Sequence, residues 1–146
     1  MPPSREQLLR EVTGLERVVA FSRRAQFAAA SFWSQLHLWI GLPTAALAAV
    51  SGGMALAHHT ALAAALALAV SVSAAVAAFL NATERHKLHH AAGNEYSKLG
   101  RNMRLWRQFE QHELSDDDVL AKIKEFQSER DRLNEQSPQV SRPLFL

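Results

Sequence analysis

Residues 36–57 read LHLWIGLPTAALAAVSGGMALA, and residues 60–80 read TALAAALALAVSVSAAVAAFL. As α-helices rising 1.5 Å per residue, these two segments would be roughly 33 Å and 31 Å long. The hydrocarbon core of a bilayer is about 30 Å thick, so each segment is long enough to cross it once. Only His58 and His59 separate them. The sequence therefore predicts a transmembrane hairpin with spans at 36–57 and 60–80.

Charge is segregated along the chain, and this favours the membrane interpretation over two alternatives. No Asp, Glu, Lys or Arg occurs between Arg24 and Glu84. The three residues Ala55, Leu56 and Ala57 resemble a signal-peptide cleavage site, but the apolar region of a signal peptide has about 7–15 residues and lies near the N-terminus. A buried hairpin in a soluble protein is disfavoured too, because a chain of 146 residues has little other mass to cover two such helices.

The basic residues predict the orientation of the hairpin. Of the 16 Lys and Arg, five precede Ser34 and six lie between Arg85 and Arg107, so eleven flank the apolar block. The loop between the spans has none. Because basic residues accumulate on the cytoplasmic side, both termini are predicted to be cytoplasmic. The bilayer is the expected partner, through anionic headgroups at these flanks.

The composition also excludes several classes of function. The chain has no cysteine, which excludes disulfides, a thiol nucleophile and cysteine-based zinc sites. Its basic residues form no patch interleaved with aromatic residues, so a nucleic-acid partner is not expected. The chain also lacks a glycine-rich phosphate loop and a recognisable catalytic nucleophile. We therefore expect no enzymatic activity and no cofactor.

Three histidines after the second span form the pattern HxxHH at His86, His89 and His90. Membrane di-iron oxygenases use such boxes, since neutral imidazoles bind iron. Those enzymes need several boxes, and the other pair here, His58 and His59, would lie across the bilayer. We therefore interpret the three histidines as solvated or headgroup-facing, and we predict no metal site.

Three further helices are predicted outside the spans, all on the cytoplasmic side. Ser4 and Gln7 form a candidate capping box at the start of the first, and Ser115 with Asp118 signals the start of the last. The expected ranges are 4–35 for the N-terminal helix, 81–113 for an extension that continues the second span without a break, and 115–136 for the C-terminal helix, followed by an irregular tail at 137–146.

Apolar residues recur at helical spacing in each of these three helices. Such faces need partners, either within the chain as a small cytoplasmic bundle or between chains as coiled coils. The faces comprise Leu8, Val12, Leu15 and Val19; then Leu88, Ala92, Tyr96, Leu99, Met103 and Trp106; and finally Val119, Ile123, Phe126 and Leu133.

The first span carries small residues at every fourth position, and such stripes let membrane helices pack closely. We interpret the stripe as a surface either for oligomerisation or for packing inside the hairpin. Thr44 and Ser51 lie two turns apart on a neighbouring face and are candidates to line water. Pro43 predicts a kink near the headgroups, with a gating hinge as the alternative. The stripe consists of Ala45, Ala49, Gly53 and Ala57.

Several short motifs give the chain a family resemblance. Residues 79–85, FLNATER, and the positions after them resemble the segment that follows the second span in SLATT-domain proteins. Residues 133–140, LNEQSPQV, are similar to the closing motif of that family, which often ends in a tyrosine where this chain has Phe145. The matching positions are Pro43, Asn81, Glu84, Arg85, His89, Ala92, Gly93, Tyr96, Leu99 and Pro138.

The resemblance implies a single SLATT-like domain over 1–146 and a role in bacterial conflict. SLATT proteins are two-span effectors inferred to act beside nucleotide second-messenger synthetases (SMODS) or SLOG-type nucleotide sensors. The implied activity is assembly into a homo-oligomer that permeabilises the bacterial inner membrane during phage infection. A holin-like lysis protein and a membrane adaptor without a pore are the alternatives. Arg85, Arg101, Arg104 and Arg107 are the candidate anion contacts.

Overall fold

The computed structural model describes residues 4–140, and this part of the chain is helical with no strand. Its contacts divide it into two compact units. The hairpin unit is Ala30–Lys87, and the core unit contains the described residues up to Ala29 and from Leu88 onward. The α-helices are α1 (Arg5–Leu56), α2 (Thr60–Leu80), α3 (Ala82–Leu105) and α4 (Asp116–Gln136).

The turn of the hairpin unit falls at the two histidines between the apolar segments. His58 adopts the left-handed conformation with φ 61°. Its N–H donates to the carbonyl of Ala55 at 3.2 Å, and the N–H of His59 donates to the carbonyl of Met54 at 2.9 Å. These two bonds form a Schellman motif, which satisfies carbonyls left open at the end of α1. The chain reverses directly into α2 because the motif ends one helix within two residues.

The hairpin unit exposes its apolar side chains. Each of its two long helices contains a window apolar enough to cross a membrane, and only 6% of each window is buried. A helix that is apolar on all sides is stable when it is buried in protein or in lipid. Residues 4–140 thus form an all-helical structure with two long apolar helices that could span a membrane. The exposed large residues include Leu38, Trp39, Leu42, Val50, Leu62, Leu68, Val72, Val76 and Phe79.

The core unit buries the apolar faces predicted from helical spacing in a single hydrophobic cluster drawn from α1, the segment from α3 to Trp106, and α4. Ala92 is buried as well. Leu88 is an exception, since it is 50% exposed and does not join the cluster. The cluster consists of Leu8, Val12, Leu15, Val19, Tyr96, Leu99, Met103, Trp106, Val119, Ile123, Phe126 and Leu133.

Both predicted helix starts are confirmed by hydrogen bonds. The N–H of Ser4 donates to Oε1 of Gln7 at 2.9 Å, and the N–H of Gln7 donates to Oγ of Ser4 at 3.4 Å. These reciprocal bonds are the capping box at the start of α1. At α4, Oγ of Ser115 accepts from the N–H of Asp118 at 3.2 Å. Each side chain satisfies an N–H that has no partner within its own helix.

The prediction that the second span runs into the next helix without a break is wrong. Asn81 lies between α2 and α3 with φ 45° and ψ 47°, which is the left-handed region. Asn visits this region more readily than most residues because its short polar side chain tolerates it. The spacing of apolar residues does not reveal a single left-handed residue, so it predicted one helix across Asn81.

A second departure occurs after Leu105. The segment Trp106–Glu110 is a π-helix and Gln111–Glu113 is a 3₁₀ turn, where the sequence predicted an ordinary helix up to 113. The N–H of Gln111 donates to the carbonyl of Trp106, five residues earlier. Gln111 is buried and Glu110 is exposed. Arg5 contacts this end of the segment through the carbonyls of Gln111 and Leu114.

Candidate functional site

Arg85 stabilises the break at Asn81. Its Nε donates to the carbonyl of Leu80 at 3.1 Å, and its guanidinium lies 4.9 Å from the centre of the Trp33 ring. The hydrogen bond satisfies a carbonyl at the end of α2, and the cation–π contact fixes the guanidinium against α1. Glu84 is exposed in the first turn of α3, where a carboxylate interacts favourably with the helix dipole. These family-motif positions therefore form a structured helix junction inside the hairpin unit.

A buried polar link in the core unit joins three segments of the chain. Nδ1 of His89 lies 2.7 Å from Oε1 of Gln26, and Nε2 of Gln26 donates to the carbonyl of Pro138 at 3.1 Å. Both His89 and Gln26 are 6% exposed. The bond to Pro138 uses the amide nitrogen of Gln26, so its amide oxygen must accept, and Nδ1 of His89 must carry the proton. The link holds the closing motif against α1 and α3.

Tyr96 makes a second bond to the closing motif. The ring is buried, and its hydroxyl donates to Oδ1 of Asn134 at 2.6 Å. Beside both polar contacts lies a cavity of about 260 Å³, lined in part by Gln26, Tyr96, Asn134 and Pro138. The motif positions Tyr96 and Pro138 thus line one cavity of the core unit, and His89 is linked to it through Gln26.

Gly93 lies where two helices approach closely. A Cβ atom at this position would lie 2.9 Å from Cε1 of Phe27, closer than real side chains pack. The Phe27 ring also meets His90 edge-on, with ring centroids 5.4 Å apart. The absence of a side chain at Gly93 therefore lets α3 accommodate Phe27 of α1.

The small-residue stripe of the first span lies outside the hairpin contact. Ala45, Ala49, Gly53 and Ala57 are all exposed, and a Cβ on Gly53 would meet nothing within 4 Å. Of the two interpretations of this stripe, packing inside the hairpin has no support in the geometry. The stripe is a free surface on the described chain.

The two hydroxyls proposed to line water are both engaged. Oγ of Ser51 donates to the carbonyl of Ala63 in α2 at 2.9 Å, and Ser51 is only 9% exposed. Oγ1 of Thr44 donates to the carbonyl of Ile40 in its own helix at 2.7 Å. The structure therefore places Ser51 between the two helices of the hairpin, which differs from the water-lining face expected for it. Pro43 lies inside α1, which continues through it.

The three histidines of the HxxHH pattern have different surroundings. Nδ1 of His86 lies 2.9 Å from the carbonyl of Ala30, and His89 bonds Gln26 as described. Nδ1 of His90 lies 3.3 Å from the Asn94 amide. Within residues 4–140, no group of three His, Asp or Glu side chains is arranged to hold a metal ion. The interpretation of His89 as solvated or headgroup-facing is wrong, because its side chain is buried in the core unit. For His86 and His90 this interpretation stays a prediction.

A surface pair on α4 has shifted pKa values. Arg132 donates hydrogen bonds to the Glu129 carboxylate and thereby lowers the pKa of Glu129, and burial opposes this shift. The same bonds raise the pKa of Arg132. Both side chains are largely in solvent, so the pair marks a surface contact of α4 and adds no reactive group.

Sequence reasoning missed Gln26 and Phe27. Gln26 lies seven residues after Val19, which keeps it in phase with the buried face of α1. A polar residue at a buried position needs a hydrogen-bond partner. The register of Gln26 with the buried face of α1 was therefore the signal in the sequence for a polar contact inside the core.

Comparison of the chain with protein-family models, curated proteins and solved structures gave no match. The SLATT resemblance therefore rests on the residues quoted above. Phe145, at the place of the family's frequent tyrosine, lies outside the described residues.

Proposed function

We propose that this chain is a SLATT-type effector that assembles in the bacterial inner membrane and permeabilises it on a nucleotide-linked signal. The observation that carries the proposal is the exposure of the hairpin unit, whose apolar windows are 6% buried. Water would penalise so much exposed apolar surface, whereas the hydrocarbon core of a bilayer would not. The break at Asn81 and the polar links of the core unit coincide with the family-motif positions, which supports the assignment.

The proposed topology places both termini in the cytoplasm. Its support is the positive-inside distribution of Lys and Arg, with none in the turn at His58 and His59. Fusions of alkaline phosphatase and of green fluorescent protein to either end test it. We expect fluorescence and no phosphatase activity at both ends. Phosphatase activity at the C-terminus would contradict a hairpin with two spans.

The proposed assembly uses the exposed stripe of α1. A pore needs several copies because one hairpin cannot enclose it, and small residues let helices from different copies approach. The variant Gly53→Leu should reduce crosslinked oligomers in membranes, since a bulky side chain separates the helices. Gly52→Leu is the matched control, because Gly52 is equally exposed but lies off the stripe. Equal crosslinking for parent and both variants would contradict assembly through the stripe.

Permeabilisation is tested directly in two settings. In cells, we expect the chain to depolarise the membrane when a nucleotide second-messenger synthetase is co-expressed and activated. In liposomes holding a fluorescent dye, purified protein should release the dye on addition of the synthetase product. Truncation after Ala82 should retain insertion and lose the dependence on the signal. If the membrane potential never changes when the chain is expressed together with its neighbouring genes, the effector proposal is contradicted.

A membrane adaptor is the second candidate, and the core unit favours it. Twelve buried residues from several helices form a cluster that needs no partner chain to complete it. A structured unit of this kind can dock another protein while the hairpin only anchors it. Proximity labelling would identify a stable protein partner of an adaptor. An adaptor should also release no dye from the liposomes.

A further inference from the structure

The core unit contains a cleft lined by arginines. The cleft has a volume of about 430 Å³, within the usual range of about 300–1,000 Å³ for small-ligand sites. One wall is α1, which contributes Arg17 and Arg23, and the other is α3, which contributes Arg101 and Arg104. Four arginines therefore line one cleft.

The cleft exists because the residues between the arginines are small. Ala20 of α1 and both Ser97 and Gly100 of α3 line it. These residues leave a gap in an otherwise packed pair of helices, since neither Ala nor Gly fills the space that a larger side chain would. The buried ring of Tyr96 also contributes to the lining.

Positive charge exceeds negative charge among the residues that line the cleft. Among residues 4–140, none of the four arginines forms an ion pair, whereas Arg5, Arg10, Arg107, Arg130 and Arg132 each do. Glu16 is the one carboxylate among the lining residues, and Arg107 already bonds it at 3.0 Å. Charges of one sign gathered in a cleft focus the electrostatic potential and raise the local concentration of anions.

We infer that this cleft binds a ligand carrying two or more phosphate groups. Guanidinium groups match phosphate oxygens with paired, charge-assisted hydrogen bonds. Arginines on two facing walls can contact separate phosphates of one ligand. A ligand with a single phosphate would engage fewer of them. A soluble polyphosphate and an anionic lipid headgroup share this chemistry. Control of permeabilisation by the ligand would rest on the proposed function, but the binding itself does not.

Two pairs of substitutions test the inference on the full-length protein in detergent. Arg23→Gln with Arg101→Gln removes two cleft charges. Arg24→Gln with Lys124→Gln removes two charges from exposed residues that do not line the cleft. Isothermal titration with inorganic tripolyphosphate measures the soluble ligand. Native mass spectrometry with added cardiolipin measures the lipid headgroup.

We expect the double variant Arg23→Gln, Arg101→Gln to weaken binding of one of these probes by about tenfold or more, because bonds to charged groups are among the strongest hydrogen bonds. The control pair should change it much less. Loss of tripolyphosphate binding assigns a soluble ligand, and loss of cardiolipin binding alone assigns a headgroup. The inference is overturned if neither probe binds, or if both pairs weaken binding equally.

A second variant tests the cleft without changing its charge. A Cβ on Gly100 would lie 3.5 Å from Cγ1 of Val19, an ordinary contact, so the backbone accepts a side chain here. Gly100→Leu should occupy the cleft and weaken binding while all four arginines remain. Binding equal to that of the parent chain would show that the ligand is not seated between the two helices, and would overturn the assignment.

Discussion

The core unit and the hairpin unit bury opposite kinds of side chain, although both consist of α-helices. The core unit encloses large residues such as Met103 and Ile123 and turns its charges outward. In the hairpin unit the buried residues are small, and the large apolar residues face outward. Packing through small residues is typical of membrane helices, whose surroundings are as apolar as their side chains. The buried residues of the hairpin unit are Ala30, Ser51, Ala63 and Ala82.

Both units contain hydroxyls that bond backbone carbonyls, as at Ser97 and Ser71, and the core unit adds polar contacts between distant side chains. In the core unit, side chains reach distant segments, as Gln26 does to His89 and Pro138. In the apolar helices, hydroxyls bond backbone carbonyls, as Ser71 does to Ala67 and Ser51 does to Ala63. Without competing water, a polar group within a membrane must find its partner inside the protein. The comparison therefore predicts different responses to the same kind of substitution.

The largest difference is expected for truncation of a large apolar residue. Ile123→Ala should destabilise the core unit by about 2–5 kcal/mol, because it leaves a cavity among buried neighbours. Leu62→Ala removes a similar side chain from an exposed position of α2 and should cost much less. Hydrogen–deuterium exchange of the helix amides in detergent measures both. Equal losses of protection would contradict the opposite burial of the two units.

The next prediction distinguishes an exposed leucine that faces lipid from one that faces water. Leu68 is 68% exposed in α2 and Leu105 is 45% exposed in α3. An arginine at the centre of a membrane span costs about 2.5–3.5 kcal/mol, so Leu68→Arg should reduce membrane integration. Leu105→Arg should have little effect, since a charge at an exposed position in water is tolerated. Carbonate extraction of membranes reports integration, and equal integration of both variants would exclude α2 from the bilayer.

A smaller effect, with opposite signs, is expected at two glycines of the core unit. Gly93→Ala places a Cβ against Phe27 and should destabilise the fold by about 1–3 kcal/mol, partly offset by better helix propensity. Gly14→Ala meets no atom within 4 Å and should stabilise α1 by about 0.5–1 kcal/mol. Thermal unfolding followed by circular dichroism measures both variants. A stabilised Gly93→Ala would remove the packing role assigned to this family-motif position.

The smallest effects concern single hydrogen bonds in the two units. Tyr96→Phe removes the bond to Asn134 and should cost about 0.5–1.5 kcal/mol. Ser51→Ala removes the bond to Ala63 and should cost about 0.6 kcal/mol, the average for side-chain bonds in membrane helices. Hydrogen–deuterium exchange measures both losses, at the amides of α4 for Tyr96→Phe and at those of α2 for Ser51→Ala. A larger loss for Ser51→Ala would mean that hydroxyl bonding, more than small-residue packing, holds the hairpin.

Much of the fold followed from periodicity and capping. The buried faces of the core unit repeat every three or four residues, and short side chains such as Ser4 and Ser115 mark helix starts through their own hydrogen bonds. These signals are local, so the sequence contains them completely. Leu88 continued the pattern but lies exposed, because periodicity alone does not show where a packed face ends.

The missing parts of the prediction depend on contacts between distant segments. The left-handed residue Asn81 is stabilised by Arg85 and its contact with Trp33, and Gln26 is held by His89 and the carbonyl of Pro138. The arginine cleft needs α1 and α3 side by side before its charges converge. Resemblance marked several of these positions, including Arg85 and His89, but only the geometry shows what each side chain does.

The π-helical segment Trp106–Glu110 has a consequence for comparing this chain with its relatives. A π-turn contains one residue more than an α-helical turn, so it corresponds to a single inserted amino acid. Relatives with a regular helix here should align with a one-residue gap inside this segment, between Leu105 and Gln111. Placing that gap elsewhere would shift the core positions that follow by one residue and hide their similarity.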